Sequence, residues 1–469
     1  MIKSILIVGL ATLSLTGTCL AAGNLPGATE FSRKVEAYFG GPFVSGAPGA
    51  AVLVARGDQV LLRRAWGMAQ VELGVPLSPD QLFRIGSNSK QFTAAAVLKL
   101  ADAGKLSLAD PLSKFLPDYP NAQNITVQQL LNHTSGIVDY TELPSFRKDA
   151  RADLDLAALI SKFKDQPPNF APGTGWLYCN SGYVLLSAVI EKAAGQPWAQ
   201  VIQSLVITPA GLTQTRVGED LPIIPGRVAG YSRGEHGEVT NAFYISMTQP
   251  MGAGSLVSTL DDLFHWTRAL HTGRVLPPAR YQEMITPLPN KSGKPTDYAD
   301  GLFVSSLRGE KMLWHGGSIP GFTTVVGYIP KREVTVVILC NSDAPKADPE
   351  TLMRRVAAEA IGSPYPERHS TKLTAAQLDQ LKGVYRLDEK TQRVLSVRGD
   401  QLYSQRGEAE PKRLLASSAD ELYLEDSLDY FGVVRNAAGE VTALDQFVDG
   451  EPPAKRQEKV DGAQPVSSP

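Results

Sequence analysis

Two short, mainly apolar runs, 51–55 and 60–65, lie on either side of the polar Arg56-Gly57-Asp58-Gln59, which predicts a β-hairpin. After residues 82–86 the period changes. Phe92, Ala95, Ala96 and Leu100 share one helical face within 91–103, and Gly104 supplies the stop. Helical patterns continue to about residue 270, for example at 127–132, 154–163 and 183–194. Strand patterns return at 301–307, 312–315, 322–329 and 334–339, separated by short polar turns as in an antiparallel meander, and a helix follows at 349–361. Strands at both ends with helices between predict an α/β (α+β) domain: an antiparallel sheet flanked by helices, with an inserted helical lobe.

Residues 363–372, opening with Ser363-Pro364-Tyr365-Pro366, read as a linker. Alternation then dominates at 394–398, 402–405, 421–424, 430–434 and 441–448, which predicts a small all-β barrel or sandwich over 373–460, followed by a disordered tail at 461–469. At the other end, Lys3, the apolar run 5–15 and the small residues Cys19 and Ala21 form a secretory signal cleaved after Ala21. That makes the mature protein periplasmic or secreted, its first domain running over 22–362. Lipid attachment at Cys19 is the alternative, although Thr18 is bulkier than such sites prefer. No later stretch is apolar and long enough to span a bilayer.

Composition narrows the function classes. With 46 Lys and Arg against 48 Asp and Glu the net charge is −2, which argues against a nucleic-acid partner. Hydrophobic residues at 43% and charged residues at 20% describe an ordinary globular chain. Cleavage would leave Cys179 and Cys340, too few for a disulfide framework; two separate buried thiols are expected, a bridge between them staying open. The six histidines form no metal-ligand spacing, and no metal or other cofactor is expected. None of these patterns fixes an oligomeric state.

Three weak chemical signals stand out. Ser87 and Lys90 are spaced to share the first turn of a helix, where a lysine of depressed pKa could deprotonate the serine. The same spacing recurs at Ser145/Lys148 and Ser161/Lys164 in polar surroundings, and on spacing alone Ser87 could equally be a helix cap. Tyr178-Cys179-Asn180 offers a phenol for proton transfer and an amide for positioning, although a tyrosine there could simply be core. His315-Gly316-Gly317-Ser318 closes a strand; two glycines would let a substrate lie close to the backbone, and an N–H there could join that of Ser87 in an oxyanion hole. His133 precedes Thr134-Ser135 but reads as a structural loop residue, and Met251-Gly252-Ala253-Gly254-Ser255 as a tight turn bordering the cleft.

In the order Ser-x-x-Lys, Tyr-x-Asn and His-x-Gly, with the flanking segments LFRIGSNSKQFTAAAVLKL, ITVQQLLNHTSGI, WLYCNSGYVLLSAVIEKAAG and WHGGSIPGFTTVVGYIP, residues 30–362 resemble the serine β-lactamase and penicillin-recognising family. The branch holds class C β-lactamases, D-Ala-D-Ala carboxypeptidases, D-aminopeptidases and related esterases. The tail resembles the lipocalin-like barrels of some relatives. The resemblance implies a β-lactamase/transpeptidase-like fold and an acyl-enzyme on Ser87, with Lys90 as its base partner and Tyr178 as second acid/base. Asn180, His315, Gly316, Gly317 and Ser318 would contact a small-molecule or peptide substrate. Which of Lys90 and Tyr178 takes the serine proton stays open. Histidine where β-lactamases of this branch typically carry lysine implies a weaker grip on a substrate carboxylate, hence peptide, amide or ester hydrolysis. A β-lactamase and a non-catalytic penicillin-binding sensor or scaffold are the alternatives. Cys179 is expected to pack, not react.

Overall fold

The computed structural model describes residues 28–389 and 391–460; the signal-peptide and lipidation readings at 1–21 and the tail at 461–469 lie outside them. A six-stranded antiparallel sheet has the order Phe303–Leu307, Glu310–Ile319, Phe322–Ile329, Val334–Cys340, Ala50–Arg56, Gln59–Trp66. The expected hairpin is its far edge, with Arg56 paired to Gln59. The helix Ala28–Gly40 precedes the hairpin and packs with the helix Pro349–Ala360 on one face of the sheet.

Alternation along the central strands separates two cores. Val52, Val54, Val336 and Ile338 face the two terminal helices. Ala51, Leu53, Val337 and Leu339 face the helical lobe, where the helices Ser89–Asp102 and Asn180–Ala194 are buried along most of their length. Burial on both faces explains why Ala50–Arg56 and Val334–Cys340 read as continuous apolar runs.

Past the chain at 363–374, a short helix Ala375–Leu381 leads into eight antiparallel strands that close into a barrel, the last, Lys455–Val460, pairing back onto the first, Gly383–Arg386. The strands Gly383–Arg386, Lys412–Ser418 and Lys455–Val460 escaped the sequence reading. Leu395, Leu402, Leu414, Phe431 and Leu444 fill the interior together with Arg393, whose guanidinium donates to Gln457 Oε1 (2.9 Å), Ser404 Oγ (2.7 Å) and Gln446 Oε1 (3.0 Å). The barrel is fastened to the sheet by Glu451, which accepts from the Arg308 N–H at 2.7 Å and the Tyr365 hydroxyl at 2.9 Å, and by the Arg354–Asp449 ion pair at 3.1 Å.

Candidate active site

Ser87 sits in a single 3₁₀ turn, Gly86–Asn88, that runs straight into the helix Ser89–Asp102. Thr324 clips this turn to the sheet: its hydroxyl donates to the Ile85 carbonyl at 2.9 Å and accepts from Asn88 Nδ2 at 2.9 Å. Contact this close restricts side chains on both sides. Gly86 has φ +51°, and a Cβ on it would stand 3.1 Å from the Ser318 nitrogen. A Cβ on Gly317 would stand 2.0 Å from the Ile85 carbonyl oxygen, whereas one on Gly316 would meet its nearest atom at an ordinary 3.8 Å. The glycine pair was expected to admit substrate; Gly317 instead admits the serine turn, and space does not demand a glycine at 316. The strand also continues beyond the pair to Ile319, carrying the Ser318 amide against the Ser87 turn.

Lys90 is fully buried, with Nζ 3.0 Å from Ser87 Oγ, 2.8 Å from Asn180 Oδ1 and 2.9 Å from the Ala253 carbonyl oxygen. Burial pulls its amine down to about 7, with Asp139 pulling the other way. Two of the three neighbours can only accept. A neutral amine therefore spends its two N–H groups on Asn180 and Ala253 and turns its lone pair to the Ser87 hydroxyl. The turn 251–255 thus contributes to the site through the Ala253 carbonyl, and Gly254 lines the cleft.

Asn180 is the first residue of its helix, three positions before the start expected from periodicity. Asp139, unforeseen from sequence, holds it: one carboxylate oxygen accepts from the Asn180 backbone N–H at 2.7 Å and from Nδ2 at 3.0 Å, while the other caps the turn Tyr140–Glu142 through the Thr141 N–H at 2.9 Å. An Asp-Tyr-Thr sequence is a recognisable cap signal, but nothing in it names its distant partner.

Tyr178 lays its ring beside Lys90, Nζ being 4.7 Å from the ring centroid. Its hydroxyl faces Ser87, is buried, and completes no hydrogen bond. Burial pushes the phenol well above its usual range, so it is neutral at physiological pH. Cys179 turns away into the core, its Sγ donating to the Ile137 carbonyl, and burial pushes the thiol up to about 12. Cys179 and Cys340 are both buried free thiols. His133 packs behind Tyr178 at 4.4 Å between ring centroids and accepts the Cys179 N–H on Nδ1 at 3.1 Å.

His315 departs from its expected place. Only 1% exposed, it donates from Nδ1 to the Gly316 carbonyl and accepts the Tyr298 hydroxyl on Nε2 at 2.9 Å. Burial first, then the neighbouring Lys90, pull the imidazole down to about 3. A neutral ring with both nitrogens engaged, closed in by Tyr178, Tyr298 and Phe303, offers a substrate carboxylate no charge. Tyr298 had no signal in the sequence.

The cleft over Ser87 has a volume of about 310 Å³ and is lined by Ser87, Thr141, Asn180, Gly254, Ser318 and Asp343 among others. The structure thus brings Ser87, Lys90, Tyr178, Asn180 and Ser318 together and sets His315 behind them.

The family model described as Beta-lactamase matches residues 35–360. Penicillin-binding protein 4* of Bacillus subtilis (strain 168) is 28% identical over 374 residues, covering 75% of this chain and 82% of that protein. The D-aminopeptidase of Gluconobacter oxydans (strain 621H) is 27% identical over 362 residues, 74% of this chain and 65% of that protein. Among solved structures, a D-stereospecific amidohydrolase from Streptomyces sp. superposes with TM-score 0.61 at 28% identity, covering 71% of this chain and 98% of that one. An octameric penicillin-binding protein homologue from Pyrococcus abyssi covers 92% of this chain and 99% of its own, with TM-score 0.64 at 23% identity, and so shares the fold. No helix among the described residues is long and apolar enough to cross a membrane.

Proposed function

The chain belongs to the beta-lactamase family and is a serine hydrolase, and from that premise we propose that it is exported and acylates Ser87 to cleave a D-configured peptide or amide, or a small ester. The observation that carries the reading is the buried Lys90 amine, 3.0 Å from Ser87 Oγ and held down to about 7. Lys90 is then the base of acylation. Its lone pair takes the Ser87 proton as Oγ attacks the carbonyl carbon, and the N–H groups of Ser87 and Ser318 receive the developing oxyanion. Tyr178, a neutral phenol, gives its proton to the departing nitrogen or oxygen as that bond breaks and is reprotonated from the Lys90 ammonium. Water then attacks the ester by the same route in reverse.

The substrate class rests on the D-aminopeptidase and D-stereospecific amidohydrolase among the relatives and on the seclusion of His315, which leaves a β-lactam carboxylate without the cation it meets in β-lactamases of this branch. A fluorophosphonate or fluorescent penicillin is expected to label the wild type and not Ser87→Ala. Turnover is expected on D-aminoacyl amides, D-Ala-D-Ala peptides or p-nitrophenyl esters, and slower on nitrocefin. Labelling with no turnover on any of them would favour a sensor or scaffold.

A further inference from the structure

Asp343 is the one charged side chain among the described residues lining the cleft over Ser87. We infer that its carboxylate holds a free ammonium at the N-terminus of the substrate's acyl half, so that the preferred substrates are aminoacyl or short peptidyl amides with an unblocked amine. The inference rests on the acyl-enzyme reading above and names the substrate class of that same site.

The carboxylate is fixed on one side and open on the other. Asp343 follows the strand Val334–Cys340, is half-buried, and is anchored by its backbone N–H to the Tyr231 carbonyl at 3.0 Å. Oδ2 accepts from Ser232 Oγ at 2.6 Å and from the Gly321 N–H at 2.8 Å, which ties it to the tip of the hairpin joining Glu310–Ile319 to Phe322–Ile329. Oδ1 has no partner among the described residues and is not closed off from solvent. Arg233, on the strand Tyr231–Arg233, engages the Ala344 and Gly237 carbonyls and forms no ion pair with Asp343. A carboxylate held this way is a preorganised acceptor for an ammonium.

The direction of the reaction decides which half of the substrate meets it. The leaving group departs toward Tyr178, whose ring lies 6.1 Å from that of His315 and 6.5 Å from that of Phe303. His315 precedes the oxyanion donor Ser318 on its strand, whereas Gly321, and Asp343 with it, lies past Ser318. The acyl half therefore extends toward Asp343. Gly321 is three residues beyond Ser318, at most about 11 Å of chain, which puts the amine on the first or second residue of the acyl half counted from the scissile bond. The rest of the lining, Thr141, Phe146, Asn180 and Ile245 among it, is uncharged. A blocked terminus would cover Asp343 without pairing it, and a site built for a charged group discriminates strongly against an analogue that lacks it.

The test compares D-alanyl and glycyl-D-alanyl p-nitroanilides with their N-acetyl forms on the full chain. Wild type is expected to favour at least one free-amine substrate over its acetylated form by about ten- to a hundredfold in kcat/KM, mainly through KM, and the chain length that shows the preference locates the amine. Asp343→Asn keeps an oxygen for Ser232 and Gly321 but no charge, and is expected to bring that ratio down to about one. Thermal melts check that the variant folds. If it does not, the wild-type ratio decides, together with competition by D-alaninamide against N-acetyl-D-alaninamide for p-nitrophenyl acetate hydrolysis. Equal or faster turnover of the acetylated forms, or a preference that survives Asp343→Asn, overturns the proposal and leaves the acyl-enzyme standing. No turnover of any anilide overturns it too: fluorophosphonate labelling that persists then spares Ser87 as nucleophile, and labelling that is lost removes the acyl-enzyme as well.

Discussion

Lys90 Nζ and Ser87 Oγ stand 3.0 Å apart, and the remaining Nζ contacts, at 2.8 and 2.9 Å, are both to oxygens that can only accept. The amine can keep all three contacts and still receive a proton only when it is neutral, which sets the pH dependence of acylation. Because burial brings Lys90 down to about 7, the competent form grows as pH rises through that value. We expect kcat/KM for a p-nitrophenyl ester to climb from pH 5 and level off above an apparent pKa near 7. Lys90→Arg, permanently charged, should lower it by about 10²–10⁴ at every pH; a variant retaining the wild-type profile would remove Lys90 from the base role.

The Tyr178 hydroxyl is buried without a hydrogen bond, so removing it leaves no orphaned partner. Tyr178→Phe is expected to melt at or above the wild-type temperature while kcat falls by about 10–10³. Amides, whose leaving groups need the proton, should suffer more than p-nitrophenyl esters, and equal losses on both would count against proton donation by Tyr178.

Exchanging His315 for the lysine of β-lactamases in this branch should not create a β-lactamase. The new ammonium would be buried beside Lys90, and the neighbours that hold His315, the Tyr298 hydroxyl and the Gly316 carbonyl, bring it no negative charge. His315→Lys is expected to lose about 1–3 kcal/mol in urea unfolding, with no gain in nitrocefin turnover. Faster nitrocefin hydrolysis at unchanged stability would show that residue 315 can swing into the cleft.

Asp300 is 2% exposed, its Oδ1 accepts from Gln128 Nε2 at 2.7 Å, and its Oδ2 has no partner. Burial raises its carboxyl to about 8, so the folded protein holds this proton more tightly than the unfolded chain does. The contribution to stability is full below the ordinary carboxyl range near 4 and is lost as pH rises toward 8. Melting curves from pH 4 to 8 should show the wild type declining relative to Asp300→Asn; parallel curves would mean that the carboxyl ionises at no cost.

Asp139 holds Asn180, and Asn180 holds Lys90. Asp139→Ala strands the Asn180 backbone N–H and loosens its side chain. A loss of about 1–3 kcal/mol is expected, with a drop in kcat partly recovered by Asp139→Asn, which keeps an acceptor in place. Unfolding curves and ester turnover on the two variants measure both.

Much of this was legible in the chain. Ser87 and Lys90 carry a spacing that a helix turn translates directly into proximity, Tyr178 and Asn180 stood out only through the order of the motifs, and the central strands announce themselves by apolar runs buried on both faces. Asp139, Tyr298 and the Ala253 carbonyl did not show, because their roles depend on contacts such as that between 139 and 180, which no local period encodes. The misplacement of His315 has a similar origin. Alternation along Glu310–Ile319 marks residue 315 as inward-facing, but only the Tyr298 and Phe303 rings decide that inward means covered. Three barrel strands were missed where charged residues interrupt the alternation, as in Lys412–Ser418 and Lys455–Val460, whose outer faces meet water.

The two neighbouring glycines of the strand Glu310–Ile319 set opposite terms for anyone who diversifies this enzyme. Position 317 is closed to every side chain, since even a methyl group would drive the nucleophile off the sheet. Position 316 has room for a methyl group, so a mutagenic library aimed at new substrates can start there with alanine and wastes every clone altered next door.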